Sequence, residues 1–339
     1  MADTKNTPTT FNRRHLLGGG LAAGALSMGA SGIPSFSQGQ DGSSKMEGNA
    51  HVYTFPIGDC MAAVISDGQK FRDGGLDYII ADDKNAVASA LEAAYEPSNG
   101  FSADYNVLVL WKGDNVALFD TGSGGNSLLM DGLSQLGISP DKVTEILISH
   151  CHGDHIGGIL DDNGKRVFPN ATAHVLKEER DFWMGENPDF SECKLPAKNA
   201  DGMVKSARKV IEALEAEGAL EIRSHGDTLW DGIVTYKLAA GHTPGHAVFE
   251  IMSGEDRLIH IVDLAHHYVI MFADPSWAIA FDVNPTEAIA TRRQIFADLA
   301  DSKVRVIGYH LPFPAVGHIA DDGEGFRWVP DRWLMSEAG

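Results

Sequence analysis

Residues Ser149–Gly158 read SHCHGDHIGG, setting three histidines and an aspartate within the six positions His150 to His155. Imidazole is costly to bury charged and is rarely needed three times for packing in one short turn. The cluster follows a β-branched run, KVTEILIS, so His150 stands where a strand ends. In extended chain His150 and His152 point to the same side and can grip one ion together. Gly153 permits the chain to bend, which places Asp154 and His155 for a second ion. A merely solvated histidine-rich loop predicts no further ligands downstream.

Three further candidates do stand downstream, each at the end of an apolar run. His242 follows IVTYKLAA in the turn GHTPGH, Asp263 ends RLIHIVD, and His310 ends VRVIGYH and precedes LPFPAVGH. Ligands donated from several strand ends into one cleft make a rigid metal site. Around them, short β-rich runs such as MAAVISDG, YNVLVLWKGDNVALFDTG and HAVFEIMS alternate with helical patterns. MVKSARKVIEALEAEG sets Val204, Ala207, Val210, Ile211 and Leu214 on one face, with Gly218 as its stop. NPTEAIATRRQIFADLAD opens with Asn284 as the cap, Pro285 at the first helical position and Glu287 as capping-box partner. Mixed elements in two similar halves predict an α/β fold of two packed sheets with helices outside.

The charge narrows the partners. A formal net charge of −20 on 339 residues repels phosphate backbones and anionic lipid heads, which disfavours nucleic acid and leaves a small-molecule substrate. A homodimer is compatible with the sequence. Cys60, Cys151 and Cys193 are too few, and odd in number, for a disulfide framework. Cys151 lies inside the histidine cluster but alternates away from its neighbours, and is read as a free thiol.

The opening MADTKNTPTTFNRRHLLGGGLAAGALSMGASG differs from the rest. A polar start leads to the pair Arg13–Arg14 and a mild apolar run from Leu16 to Ala30, too short and too weakly apolar to span a membrane. It resembles a twin-arginine export signal, continued by a Ser/Gly-rich linker to residue 48. The expectation is a periplasmic hydrolase domain over residues 49–339, with no integral membrane segment in the mature chain.

SHCHGDH, GHTPGH, the strand-ending Asp263 and GYHLPFPAVGH, in this order, resemble the metallo-β-lactamase fold hydrolases from about His51 to the C-terminus. The resemblance implies the αβ/βα sandwich. It implies His150, His152 and His242 on one ion, Asp154, His155 and His310 on the other, and Asp263 bridging both. Class B β-lactamases lack an aspartate at the position of Asp263, and flavodiiron relatives carry glutamate where His152 stands. The likeness narrows to the methyl parathion hydrolase and lactonase-like group through the spacing from Asp263 to His310, HLPFP, and FPNATAHVLKEERDFW. Those enzymes are exported, dizinc, and cleave aryl phosphotriesters, lactones or esters. Two zinc ions are therefore expected, at a site of N/O ligands that manganese, cobalt or iron also suit. A hydroxide shared by the ions attacks, and Asp154 shuttles the proton to the leaving group. Glyoxalase II-like thioesterases keep the same ligands and are the alternative; a non-catalytic periplasmic metal-binding protein is another.

For the substrate pocket, Trp183 matches an aromatic that lines the leaving-group pocket in that group, its alternative being a core tryptophan. Residues 179–202 are read as a long irregular lid, with Phe182 and Trp183 at its head and Phe313 beside His310 supplying apolar surface. His266 stands three residues beyond Asp263, where small acyl-homoserine lactonases often carry tyrosine. His51, His174, His225, His246 and His318 fit surface or supporting roles.

Overall fold

The β-rich runs pair into two sheets whose carboxyl ends meet at one edge. The computed structural model describes residues 50–125 and 127–334. The export segment and linker expected over residues 1–48 lie outside them. In chain order the strands are β1 (Val52–Ile57), β2 (Cys60–Asp73), β3 (Ile79–Ile80), β4 (Gly100–Lys112), β5 (Asn115–Phe119), β6 (Glu145–Leu147), β7 (Thr172–Leu176) and β8 (Leu220–Arg223). They continue with β9 (Thr228–Leu229), β10 (Val234–Leu238), β11 (Ala247–Ser253), β12 (Asp256–Val262), β13 (Ala278–Ile279), β14 (Arg305–Gly308), β15 (Val316–Asp321) and β16 (Phe326–Pro330). The first sheet runs β1-β2-β4-β5-β6-β7-β8, the second β16-β15-β14-β12-β11-β10-β9, and β13 pairs with β3 apart from both.

The helices are α1 (Lys84–Ala93), α2 (Leu129–Gln135), α3 (Gly153–Ile156), α4 (Lys177–Met184), α5 (Ala197–Ala216), α6 (Ile270–Ala273) and α7 (Pro285–Ser302). The parallel pairs β5–β6, β6–β7, β7–β8 and β12–β14 all require crossovers, and the helices supply them. The inner faces meet through Phe119 of the first sheet, whose ring lies 5.0 Å from Phe249 of the second. This is the αβ/βα sandwich expected from the sequence.

Local chemistry agrees with the sequence at most turns. Gly113 and Asp114 join β4 to β5, with Gly113 at φ 60°. Asn284 caps α7 by accepting from the Glu287 N–H at 3.1 Å. Ala207, Val210, Ile211 and Leu214 are buried along α5, whereas Val204 is only partly buried.

Two expectations need correction. The stretch 179–202 is half helical: α5 begins at Ala197, ahead of its most regular apolar pattern, and α4 already covers the head. Only residues 185–196 between them stay irregular. Gly153 starts the single turn of α3 rather than a sharp bend, with His152 as the extended residue before it. Among the described residues no helix is long and apolar enough to cross a membrane.

The end of β12 is unusual. Its pairing with β14 shifts register between His260 and Val262. Val262, fully buried, has φ 49°. A β-branched residue in the left-handed region is an outlier, here at the residue that precedes Asp263.

Candidate metal centre

The two sheets deliver their strand ends to one point. His150 follows β6, His242 follows β10, Asp263 follows β12 and His310 follows β14. His152, Asp154 and His155 arrive together on the turn into α3. The glycines that close the motif have a packing reason. A Cβ on Gly157 would lie 2.4 Å from the Ser123 carbonyl oxygen, and one on Gly158 would lie 2.2 Å from that of Thr121. The motif thus packs directly on the chain leaving β5, where the Thr121 N–H donates to the His155 carbonyl at 2.7 Å.

Asp263 Oδ2 is the hub. The Nε2 atoms of His150, His155, His242, His266 and His310 lie 3.7, 3.3, 3.3, 3.2 and 3.2 Å from it. Three groups fall within metal-binding reach: His150 with His152 and His242, Asp154 with His155 and His310, and His150 with His155 and Asp263. The structure therefore brings all seven expected ligand residues together. It adds His266, which forms a further group with His242 and Asp263 and which sequence reasoning had treated only as a substitution.

The far sides of these rings are held. His155 Nδ1 lies 2.8 Å from Asp120 Oδ2, and His242 Nδ1 lies 2.7 Å from Asp282 Oδ1. His310 Nδ1 donates to the Asp104 carbonyl at 2.7 Å. His246, reading its Nδ1–H as donor to the Ala239 carbonyl, accepts the Asp263 N–H on Nε2 at 3.2 Å. Such outer partners fix which nitrogen faces the centre. Asp120 and Asp282 were missed in the sequence, because a single carboxylate after a strand or in a loop carries no spacing. The only signal was Asp120 at the end of an apolar run, LFD, the pattern already used for Asp263.

The residues fit a cation. Inside the cluster His150 Nε2, His152 Nε2, His155 Nε2 and Asp263 Oδ1 are buried and lack a hydrogen-bond partner, an arrangement that costs free energy unless something else satisfies it. Burial, reinforced by the neighbouring imidazoles, holds His150 and His152 well below the usual histidine range, leaving their lone pairs free. Burial opposes the charge of Asp263, but His155, His310 and His266 hold its carboxyl well below the ordinary carboxylate range. Burial likewise disfavours charged His242, yet Asp263 and Asp282 raise it to about 9. A buried anion that gathers protons onto its neighbours is a place where a divalent cation can replace them.

The cluster opens into a cavity of about 300 Å³. Its wall combines Phe101, Met203, Ile279 and Phe281 with Arg72 and Tyr105, and His152, Asp154 and His266 face it from the cluster side. Arg72 donates to the Tyr105 hydroxyl at 3.2 Å.

Phe182, Trp183 and Phe313 do not line this cavity, which corrects the expected pocket. Trp183 is fully buried, its indole N–H donating to Glu179 at 2.6 Å and its ring edge-on to His152 at 5.8 Å. Phe182 packs against Trp183 and Phe190, and Phe313 packs on Trp333 outside the cavity. The stretch between α4 and α5 does contribute to the wall, but through Leu195, with Asn199 and Met203 from α5. Cys151 is a buried free thiol whose neighbours, not itself, face the centre.

Residues 103–309 match the family model of the metallo-beta-lactamase superfamily. The structure is similar to that of AidC, a dizinc quorum-quenching lactonase solved with a product, with TM-score 0.80 and 28% identity over 84% of this chain and 98% of that one. It is also similar to the hydrolase AbOPH of the beta-lactamase superfamily, with TM-score 0.77 and 28% identity over 85% and 99% of the two chains. Among curated proteins, atrochrysone carboxyl ACP thioesterase of Passalora fulva is 29% identical over 132 residues. That match covers 37% of this chain and 38% of the thioesterase, well under half of either.

Proposed function

The chain belongs to the metallo-beta-lactamase superfamily and is a metal-dependent hydrolase; from that premise we propose that it is a dinuclear zinc enzyme of the methyl parathion hydrolase and lactonase-like group, cleaving lactone, ester or organophosphate triester bonds. The observation that carries this reading is the pair of ligand groups drawn around one carboxylate, Asp263, each with its ring nitrogens and carboxylate oxygens within reach of one ion. His150, His152 and His242 would hold one ion, Asp154, His155 and His310 the other, and Asp263 both. Two such ions supply Lewis acidity, which activates water near neutral pH and withdraws charge from the bond under attack.

The chain's own residues do the rest. Asp120 and Asp282 keep His155 and His242 in the tautomer that presents Nε2. Asp154 is the least buried ligand, its side chain 30% exposed, and it faces the cavity, so it can pass a proton to the departing oxygen. Phe101, Met203, Ile279 and Phe281 exclude water and pack the acyl or aryl part. Likeness to a lactonase and to a hydrolase at 28% identity supports lactone and ester substrates first. Thioester cleavage is the second reading, favoured by the partial match to a thioesterase.

The test is a panel of lactones, aryl esters, phosphotriesters and thioesters offered to zinc-loaded protein. Turnover of a lactone or ester that disappears with chelator and returns with zinc is the expected result. Turnover of thioesters alone would select the second reading, and a protein holding two ions that hydrolyses none of the four would defeat both. We further propose that residues 1–48 direct export to the periplasm through Arg13–Arg14. Replacing both by lysine should then keep the enzyme in the cytoplasm, and undiminished periplasmic activity would refute it.

A further inference from the structure

Glu179 is the third residue of α4 and is fully buried, yet it ligates nothing in the cluster. A carboxylate so placed is costly unless each oxygen is satisfied. Here each oxygen takes two donors. Oε1 accepts the Cys151 N–H at 2.7 Å and the Trp183 indole N–H at 2.6 Å. Oε2 accepts the Thr243 hydroxyl at 2.5 Å and the Gly245 N–H at 3.1 Å. The two backbone donors come from different places in the chain. Cys151 sits between His150 and His152 on the first sheet's loop, and Gly245 lies three residues beyond His242 on the second's. Gly245 is glycine because the helix lies directly against it: a Cβ there would sit 1.9 Å from the Glu179 nitrogen.

We propose that Glu179 is a positioning residue that clasps the His150–His152 loop to the His242 loop and thereby sets the affinity of that one ion site. The inference rests on the reading of these three histidines as ligands. The two loops, approaching from opposite sheets, already meet through the Ala247 N–H on the Ser149 carbonyl at 2.9 Å, and the Glu179 carboxyl adds a second tie beside the histidines themselves. Asp154, His155 and His310 are tied by other groups, the Asp120 carboxylate, the Asp104 carbonyl and the Tyr309 hydroxyl on the Asp154 carbonyl, none of which involves Glu179. Trp183 belongs to the same clasp as its fourth donor.

Glu179→Gln is close in shape but has one acceptor oxygen, so it must leave two of the four donors facing an amide NH₂. Thr243→Val removes a single donor, and Thr243→Ser keeps it. Cobalt is titrated into metal-free wild type and variants, with chelator competition and d–d absorption resolving the two ions, and the melting temperature of each metal-free protein is recorded. Wild type should take up two ions, one of which His150→Ala removes; if it does not, the ligand assignment fails, independently of Glu179. Given that result, Glu179→Gln should weaken the His150–His152–His242 ion about 10–100-fold, the range seen for outer partners of ligands, and leave the other near wild type. Thr243→Val should weaken the same ion less, and Thr243→Ser should restore it, which keeps the test open should Glu179→Gln fail to fold. Equal weakening of both ions, or unchanged affinity with only a lower melting temperature, would make Glu179 an ordinary core residue and overturn the proposal.

Discussion

The first sheet delivers His150, His152, Asp154 and His155 from one loop of six residues, whereas the second delivers His242, Asp263 and His310 from three separate strand ends. The loop holds its shape through a local bond, the His155 N–H donating to the His152 carbonyl at 3.0 Å, and is tied to the second sheet by the Ala247 N–H of β11 on the Ser149 carbonyl at 2.9 Å. The dispersed set has such bonds within single turns, as where the Gly241 and His246 N–H groups donate to the Thr243 carbonyl at 3.0 and 3.2 Å, but the placement of its three members relative to one another depends on sheet register, with an outer partner for each residue. Asp282 holds His242, the Asp104 carbonyl holds His310, and His246 holds the Asp263 backbone. A local ligand set survives modest shifts of the scaffold, whereas a dispersed one is only as accurate as the packing of the two sheets.

The strongest way to break this comparison is to remove the residue that both sets surround. Asp263→Ala should lower metal content from two ions to one or none and cut turnover by about three orders of magnitude, measured by elemental analysis and kcat/KM. Retention of both ions would show that the loop and the strand ends assemble without their hub. Next in size, Trp183→Ala should lower folding stability by about 3–5 kcal/mol, because it empties a fully buried site against the loop set. All substrates should then be depressed alike; selective loss of large aryl substrates at unchanged stability would return Trp183 to the pocket. Smallest is the contrast between outer partners. Asp120→Asn should weaken the ion held by His155, and Asp282→Asn the ion held by His242, each about 10–100-fold in metal affinity. If both changes weaken the same ion, the two sets are not independent.

The ligands were legible because each leaves a mark in the chain: a dense motif in one set, and in the other a polar residue ending an apolar run. The fold was legible for the same reason, since alternation and capping signals such as Asn284 are local. What stayed hidden depends on distance. Asp282, Glu179 and the cavity residues Arg72, Phe101 and Phe281 reach the candidate site only through contacts that no spacing records. Trp183 was misplaced because an aromatic near ligands in sequence reads the same whether it faces a cavity or the core; its hydrogen bond to Glu179 decides for the core. The irregular stretch expected over 179–202 shrank to residues 185–196, where its polar, Gly/Pro-marked composition is concentrated, with a helix at either end.

Val262, held at φ 49° just before Asp263, has a consequence for how this chain can change. A β-branched residue in that conformation forgoes about 1–2 kcal/mol that the remainder of the fold must absorb. Glycine at that position would relax the backbone, and it would also free the strand end to point Asp263 elsewhere. Because the Val262 side chain is fully buried, that exchange would also empty part of the core, at a cost larger than the strain it relieves. The tip of β12 therefore keeps its valine for two reasons at once: the side chain fills the core, and the strained backbone aims Asp263 at the cluster.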